Sequence, residues 1–399
     1  MKKINIVSIL ASLVMILVTY AGYELYERKV PKERSIKVGI IYDGDESAPY
    51  TANFVKSKRQ IEAEYGAKVQ FVEKTCISDE NAESVLRELC REDCNLIFTT
   101  SYGYGEAAKK LAAEYPDIEF CQATCANAND DPVLDNYHTF MGHIYEGRYI
   151  AGVAAGMKLS ELIKEGVLKP GDIKIGYVAA FPYAEVISGY TAFFLGVRSE
   201  CPEAVMYVRY TNTWESYSKE KECTEKLLDE GCVLISQHSD TTGPAAACEA
   251  RSGSQIVFHV GYNQSMMDVA PKTSLISTKI NWTPYMKTAV DACINGYKIE
   301  SRVDATIHGH DAGAGFDKDW VQMVELNTLI ATEGTEERIE ELKEKFIKGS
   351  IKVFEGDYTG TNPMDREDVY DLSEGYVENQ DSSAPTFHYV LDDVIIEEK

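Results

Sequence analysis

The strongest constraint on this chain is a repeated alternation. Short apolar runs closed by Gly, Asn or Asp each lead into a helical stretch. IKVGIIYDGD, from Ile36, reads as a buried strand ending in a turn, followed by a helix over Thr51 to Tyr65 that stops at Gly66. AKVQFVEKT, a helix over Asp79 to Arg91, NLIFTTS, a helix over Tyr104 to Tyr115 and DIEFCQAT continue the series. The pattern restarts after a Gly/Ala-rich helix at Tyr145 to Leu159, with KIGYVAA, AVMYVRYT, CVLISQHS, QIVFHVGYN and SLISTKI as strands. Helices are expected at Ser218 to Gly231 and Pro284 to Asn295. Right-handed βαβ crossovers turn each run into a mostly parallel sheet with helices on both faces. Two runs in one chain imply two similar α/β lobes.

The 399 residues are enough for two such units, and 44% hydrophobic with 26% charged residues fits a globular body. A formal net charge of −24 argues against nucleic-acid binding, because phosphate contacts need Lys and Arg. At the N-terminus, Met1-Lys2-Lys3 precedes an apolar run from Ile4 to Ala21, close to the length that spans a bilayer. The lysines orient it with the body outside, as an uncleaved anchor or as a signal peptide cut near Ala21. Residues 24–35, with Pro31, read as a linker. The Cys90/Cys94 and Cys121/Cys125 spacings lack nearby His and are a weak metal signal, so most of the ten cysteines read as small buried residues. Beyond a charged helix at Glu333 to Ile347 and a short edge strand at IKVF, the acidic stretch from Asp365 reads as a mobile tail or short appendage.

Candidate site residues cluster at the carboxyl ends of the expected strands, where open α/β sheets bind ligands. They are Tyr50, Tyr102, Phe181, Trp214, His238, Asp240, Asn263, Asn281 and Trp282. Several aromatics with isolated polar groups suit a small-molecule cleft. An aromatic at a strand end serves lobe packing just as readily. His238 beside Asp240 has no activated nucleophile near it in sequence, TSYGYGEA lacks the full dinucleotide fingerprint, and no phosphate-binding loop or metal-ligand cluster is present. No cofactor or metal is expected, and binding is favoured over catalysis.

EGRYIAGVAAG, KIGYVAAFPYAEVISGYTAFFLGVRS, TNTWESYSKEKE, LISQHSD and NWTPY resemble the basic membrane protein family of bacterial substrate-binding proteins, in its purine and nucleoside branch. The likeness runs from about Ile36 to Gly360. It implies the type I periplasmic-binding-protein fold, with two Rossmann-like lobes joined by three crossovers, and delivery of a small ligand to an ABC permease. It also implies that Tyr50, Phe181 and Trp214 stack on the ligand while His238 and Asp240 read its edge. Asn263 stands where nucleoside-binding relatives carry a ribose-binding Asp, so a free purine base is favoured over a nucleoside. On this reading residues 1–23 are the signal or anchor, 36–142 with 264–300 form lobe one, 143–263 with 301–350 form lobe two, and 351–399 are an extension. The protein is expected outside the cytoplasm, held at the membrane's outer face by its N-terminal helix. A membrane-tethered sensor, or less readily a nucleoside hydrolase, is the alternative.

Overall fold

A computed structural model describes residues 34–397 together with positions 15 and 19. Apart from positions 15 and 19, the expected anchor over residues 1–23 lies outside the described residues, among which no helix is long and apolar enough to cross a membrane.

The expected alternation is present. Strands β1 (Ile36–Ile41), β2 (Val69–Lys74), β3 (Leu96–Thr99), β4 (Glu119–Ala123) and β5 (Tyr137–Gly142) are joined by helices α1 (Pro49–Tyr65), α2 (Ala82–Arg91) and α3 (Gly105–Glu114). Pro49 starts α1, where a missing N–H costs nothing, and Gly66 at φ 53 ends it. Helix α4 (Ile144–Lys164) then carries the chain into the second lobe. There β6 (Lys174–Ala179), α5 (Ala184–Glu200), β7 (Val205–Tyr210), α6 (Tyr217–Asp229), β8 (Leu234–His238), α7 (Gly243–Arg251), β9 (Phe258–Tyr262) and β10 (Ser274–Ile280) follow. The Gly/Ala run in α4 has a steric purpose. A Cβ at Gly152 would strike the backbone carbonyl of Phe193, and one at Gly196 would strike that of Tyr149, so α4 and α5 pack backbone to backbone.

The chain returns to the first lobe through α8 (Thr283–Asn295), β11 (Thr306–His308) and β12 (Asp311–Ala314). It re-enters the second at β13 (Val321–Val324) and α9 (Thr335–Ile347). The first sheet runs β11-β12-β5-β4-β3-β1-β2 and the second β13-β10-β9-β8-β6-β7, with a last strand, Val394–Ile396, beyond β7. This corrects the expected division of the chain. Ser274–Ile280 pairs in parallel with β9 in the second sheet, whereas Asp311–Ala314 pairs with β5 in the first. The second and third crossovers therefore fall near residues 281 and 315–320. DAGA was missed because four small or polar residues give no strand-like apolar run.

The three crossovers meet at Gly142. A Cβ there would lie 2.9 Å from Ile280 Cγ2 and 3.0 Å from the Trp320 carbonyl. His143 N–H donates to the Ala314 carbonyl at 2.9 Å, and Asn281 N–H to that of Trp320 at 2.8 Å, which ties the hinge together.

The C-terminal segment is folded, so of the two readings, mobile tail and short appendage, the second holds. Strands β14 (Thr359–Asn362), β15 (Asp365–Asp371) and β16 (Val390–Leu391) form a small sheet, and β17 (Val394–Ile396) adds to β7. Phe354, Leu372, Phe387 and Leu391 are buried in the same core as β6 and α5. IKVF contributes only a single bridge, between Phe354 and Tyr376. All ten cysteines are free thiols, nine of them at least partly buried.

Candidate functional site: an acidic, aromatic cleft between the lobes

Parallel strands of both lobes point their carboxyl ends toward one interlobe cavity of about 350 Å³, its mouth included. The first lobe supplies Asp43 after β1, Tyr50 on α1, Ser101 and Tyr102 after β3, and Thr124 after β4. The second supplies Glu185 on α5, Trp214 after β7, His238 at the end of β8, Asp240 just after it, and Tyr262 at the end of β9. Thr124, at φ 64, holds a left-handed conformation that a β-branched residue adopts only under constraint.

The loops are pinned from behind. Glu220, buried on α6, accepts from Ser216 N–H at 3.1 Å, Ser239 O–H at 2.8 Å and Thr241 N–H at 3.1 Å. Asp240 N–H donates to the Trp214 carbonyl at 3.0 Å. One carboxylate thus sets the Trp214 loop against the Asp240 loop. Across the cleft, Asn53 Nδ2 donates to the Asn263 carbonyl at 2.9 Å, and the Tyr102 and Tyr183 rings lie 5.6 Å apart, so the lobes are drawn together.

Of the nine expected site residues, Tyr50, Tyr102, Trp214, His238 and Asp240 line the cavity. Asn263 sits directly behind, its Nδ2 donating to Asp240 Oδ1 at 3.2 Å. Phe181 is at the rim, stacked on Tyr183 at 5.0 Å and edge-on to Trp214 at 5.4 Å, so it backs Trp214 instead of forming the wall. Asn281 and Trp282 are corrected. Asn281 Nδ2 donates to Asp319 at the hinge, and Trp282 is buried in the first core, stacked on Phe54 at 4.5 Å. Trp282 follows a strand that belongs to the second sheet but leads into a helix of the first lobe, so its ring turns inward to that lobe.

Sequence reasoning missed Asp43, Thr124 and Glu185 on the wall and Arg148 behind it. The available signal was a lone Arg within the Gly/Ala-rich run of α4 and a lone Glu in the first turn of α5, each a charge where the surroundings are apolar. Arg148 is 1% exposed, its guanidinium 3.7 Å above the Tyr262 ring, with Nη1 donating to the Gln237 carbonyl at 2.7 Å.

Burial sets the protonation of the cavity. It pushes the Glu185 carboxyl up to about 7, partly offset by the Arg148 charge. Asp240 is held well above the usual carboxylate range by burial, then by the charges of Asp43, Glu220 and Glu185. His238 is held well below its usual range by burial and Arg148, so its imidazole is neutral, with Nε2 3.5 Å from Glu185 Oε1. The cavity therefore presents aromatic faces from both lobes and an edge of acceptors that can hold or release protons.

Residues 35–354 match the family model described as ABC transporter substrate-binding protein, PnrA-like (Bmp). The chain belongs to the Bmp family. A purine-binding protein of Brucella abortus is 30% identical over 285 residues, covering 71% of this chain and 75% of its own length. A Haloferax volcanii protein named as an ABC transporter glucose-binding protein is also 30% identical, over 76% of this chain and 71% of its own. Among solved structures, an Aeropyrum pernix ABC solute-binding protein aligns with a TM-score of 0.64 at 18% identity, covering 83% of this chain and 95% of its own. One from Conexibacter woesei aligns with a TM-score of 0.58 at 18% identity, over 79% and 98%. These structures share the two-lobed periplasmic-binding fold. As a Bmp-family member, the chain is an extracytoplasmic substrate-binding protein of an ABC transporter.

Proposed function

We propose that the cleft captures a free purine base and that the loaded, closed protein presents it to the ABC permease, with the N-terminal segment holding the body at the membrane's outer face. The observation that carries this reading is the pairing of aromatic rings from both lobes with a carboxylate edge of Asp43, Glu185 and Asp240. Such a slot suits a ligand with two apolar faces and a rim of N–H donors. A pyranose, which the Haloferax relative's name suggests, presents hydroxyls around its whole rim and would need polar groups on the stacking faces too. The Asn263 side chain is spent on Asp240 and its carbonyl on Asn53, which leaves little there to take a ribose and favours the base over the nucleoside.

Calorimetry with adenine, guanine, adenosine and glucose tests this reading. A base should bind best, and Trp214→Ala should weaken it about tenfold or more, the loss of one stacking face with its buried area. Phe181→Ala should cost less, because Phe181 acts through Trp214. Tighter binding of glucose than of any purine would overturn the assignment. Release of free base from adenosine would replace the receptor with a hydrolase.

A further inference from the structure

At the end of the first sheet opposite the cleft, two histidines and a glutamate converge. His138 is the second residue of β5, His310 directly precedes β12, and Glu300 lies in the turn after α8. His138 lies 162 residues before Glu300 in the chain, and the parallel pairing of β12 with β5 brings it to the other two. Both histidines turn Nδ1 to the same oxygen, Glu300 Oε1, with His310 at 2.9 Å and His138 in closer contact. One donor atom from each of the three residues lies within 4.8 Å of the other two. On a tetrahedral zinc with bonds of about 2.0–2.1 Å, donor atoms stand roughly 3.4 Å apart, so small side-chain rotations suffice.

The far nitrogens carry the second part of the argument. His138 Nε2 meets Glu119 Oε2 at 2.9 Å, and His310 Nε2 faces Asp135 Oδ1 at 3.9 Å. Each Nδ1–H donates to Glu300 Oε1, and a bound metal would take the place of those two protons, while Glu119 on His138 Nε2 orients that ring as outer carboxylates do for metal-bound histidines. The side chains of His138, Glu300 and His310 are 3%, 18% and 18% exposed, so the donors are held by packing. A surface depression bordered by Glu119, His138, Lys298 and Glu300 gives access from solvent.

We propose that His138, Glu300 and His310 form a site for a divalent transition metal of the zinc type, with Glu119 as a positioning residue. Two imidazoles and one carboxylate select zinc-like ions over calcium or magnesium, which take oxygen ligands. The metal would join β5, the turn after α8 and the β11–β12 hairpin, and would stabilise the first lobe in proportion to its binding.

The test is titration of the full-length chain with zinc chloride by calorimetry, and with cobalt(II) by absorption. Expected are one equivalent bound at micromolar affinity or tighter and a visible cobalt band without near-ultraviolet thiolate absorption. His310→Ala, on a hairpin, should lower affinity at least a hundredfold, and Glu119→Gln about tenfold, the usual effect of losing an outer carboxylate. Purine binding by both variants should be unchanged, which separates this site from the cleft. Absence of saturable zinc binding would overturn the site, as would binding that both variants retain in full. A cobalt–thiolate band would do the same, because it would assign the metal to the cysteines. If His310→Ala does not fold, Glu119→Gln decides by itself.

Discussion

Glu185 is the residue on which the cleft's chemistry turns. Its carboxyl titrates near 7 in the folded protein against about 4.5 when exposed, because burial disfavours the charge. The folded state therefore holds more protons than the unfolded one between these values, and stability falls as pH rises from about 4.5 to about 7, then levels off. Glu146, buried at the hinge and also raised to about 7, adds to the same slope. Glu185→Gln should flatten that part of the stability–pH curve and leave the Glu146 part, as denaturant melts at pH 5, 6, 7 and 8 would show. Arg148, His238 and Asp240 face the same carboxyl, so a donor-rich ligand that favours ionised Glu185 should release protons on binding near pH 6. Calorimetry in buffers of different ionisation enthalpy would detect that release, and its absence in the wild type would remove Glu185 from the ligand's edge. Tyr50, Trp214, His238 and Asp240 were legible because each follows a strand end. Glu185 and Arg148 were not, since a charge becomes informative only when the fold shows what surrounds it.

At the scale of elements, the C-terminal extension differs most from its sequence pattern. The acidic stretch hides an apolar face: Phe387 stacks on Phe354 at 4.6 Å, edge-on to Tyr376 at 5.2 Å, and is fully buried. β17 then covers β7, which would otherwise be an open edge. Phe387→Ala should cost about 3–5 kcal/mol through the cavity it leaves. A thermal midpoint roughly 10 °C lower is the expected readout. A midpoint unchanged from wild type would mean that the extension does not share the core of the second lobe. Most helices and central strands from Ile36 to Asn295 were readable because their apolar runs are long and capped; β5 (YHTFMG), with polar residues in its run, was not. β11, β12 and β13 were not: β12 and β13 are short strands whose partners lie more than 40 residues away, and β11 is a three-residue edge strand paired with β12.

Over the whole molecule, the extension also bridges the lobes. Ser383 donates from N–H to Asp311 Oδ2 at 2.6 Å on the first-lobe strand β12, while Glu378 accepts from Ser188 O–H at 2.6 Å on α5 of the second. This bridge and the crossovers at Gly142 bound how far the lobes can part. Asp311→Ala removes the first-lobe anchor. The unliganded protein should then show a larger radius of gyration by small-angle scattering and bind its ligand more weakly, because closure is no longer favoured by those bonds. Scattering identical to wild type would mean that the extension does not restrain opening.

The sequence by itself determined the two α/β runs, their family likeness and most of one cleft wall, because strand periodicity and turn residues are local. Tertiary structure decided which lobe owns each returning strand, that the acidic end is a folded strap, and that Asn281 and Trp282 belong to hinge and core. It also brought His138, Glu300 and His310 together. These features depend on pairing between segments distant in the chain, and no local pattern records which distant segment a residue will meet.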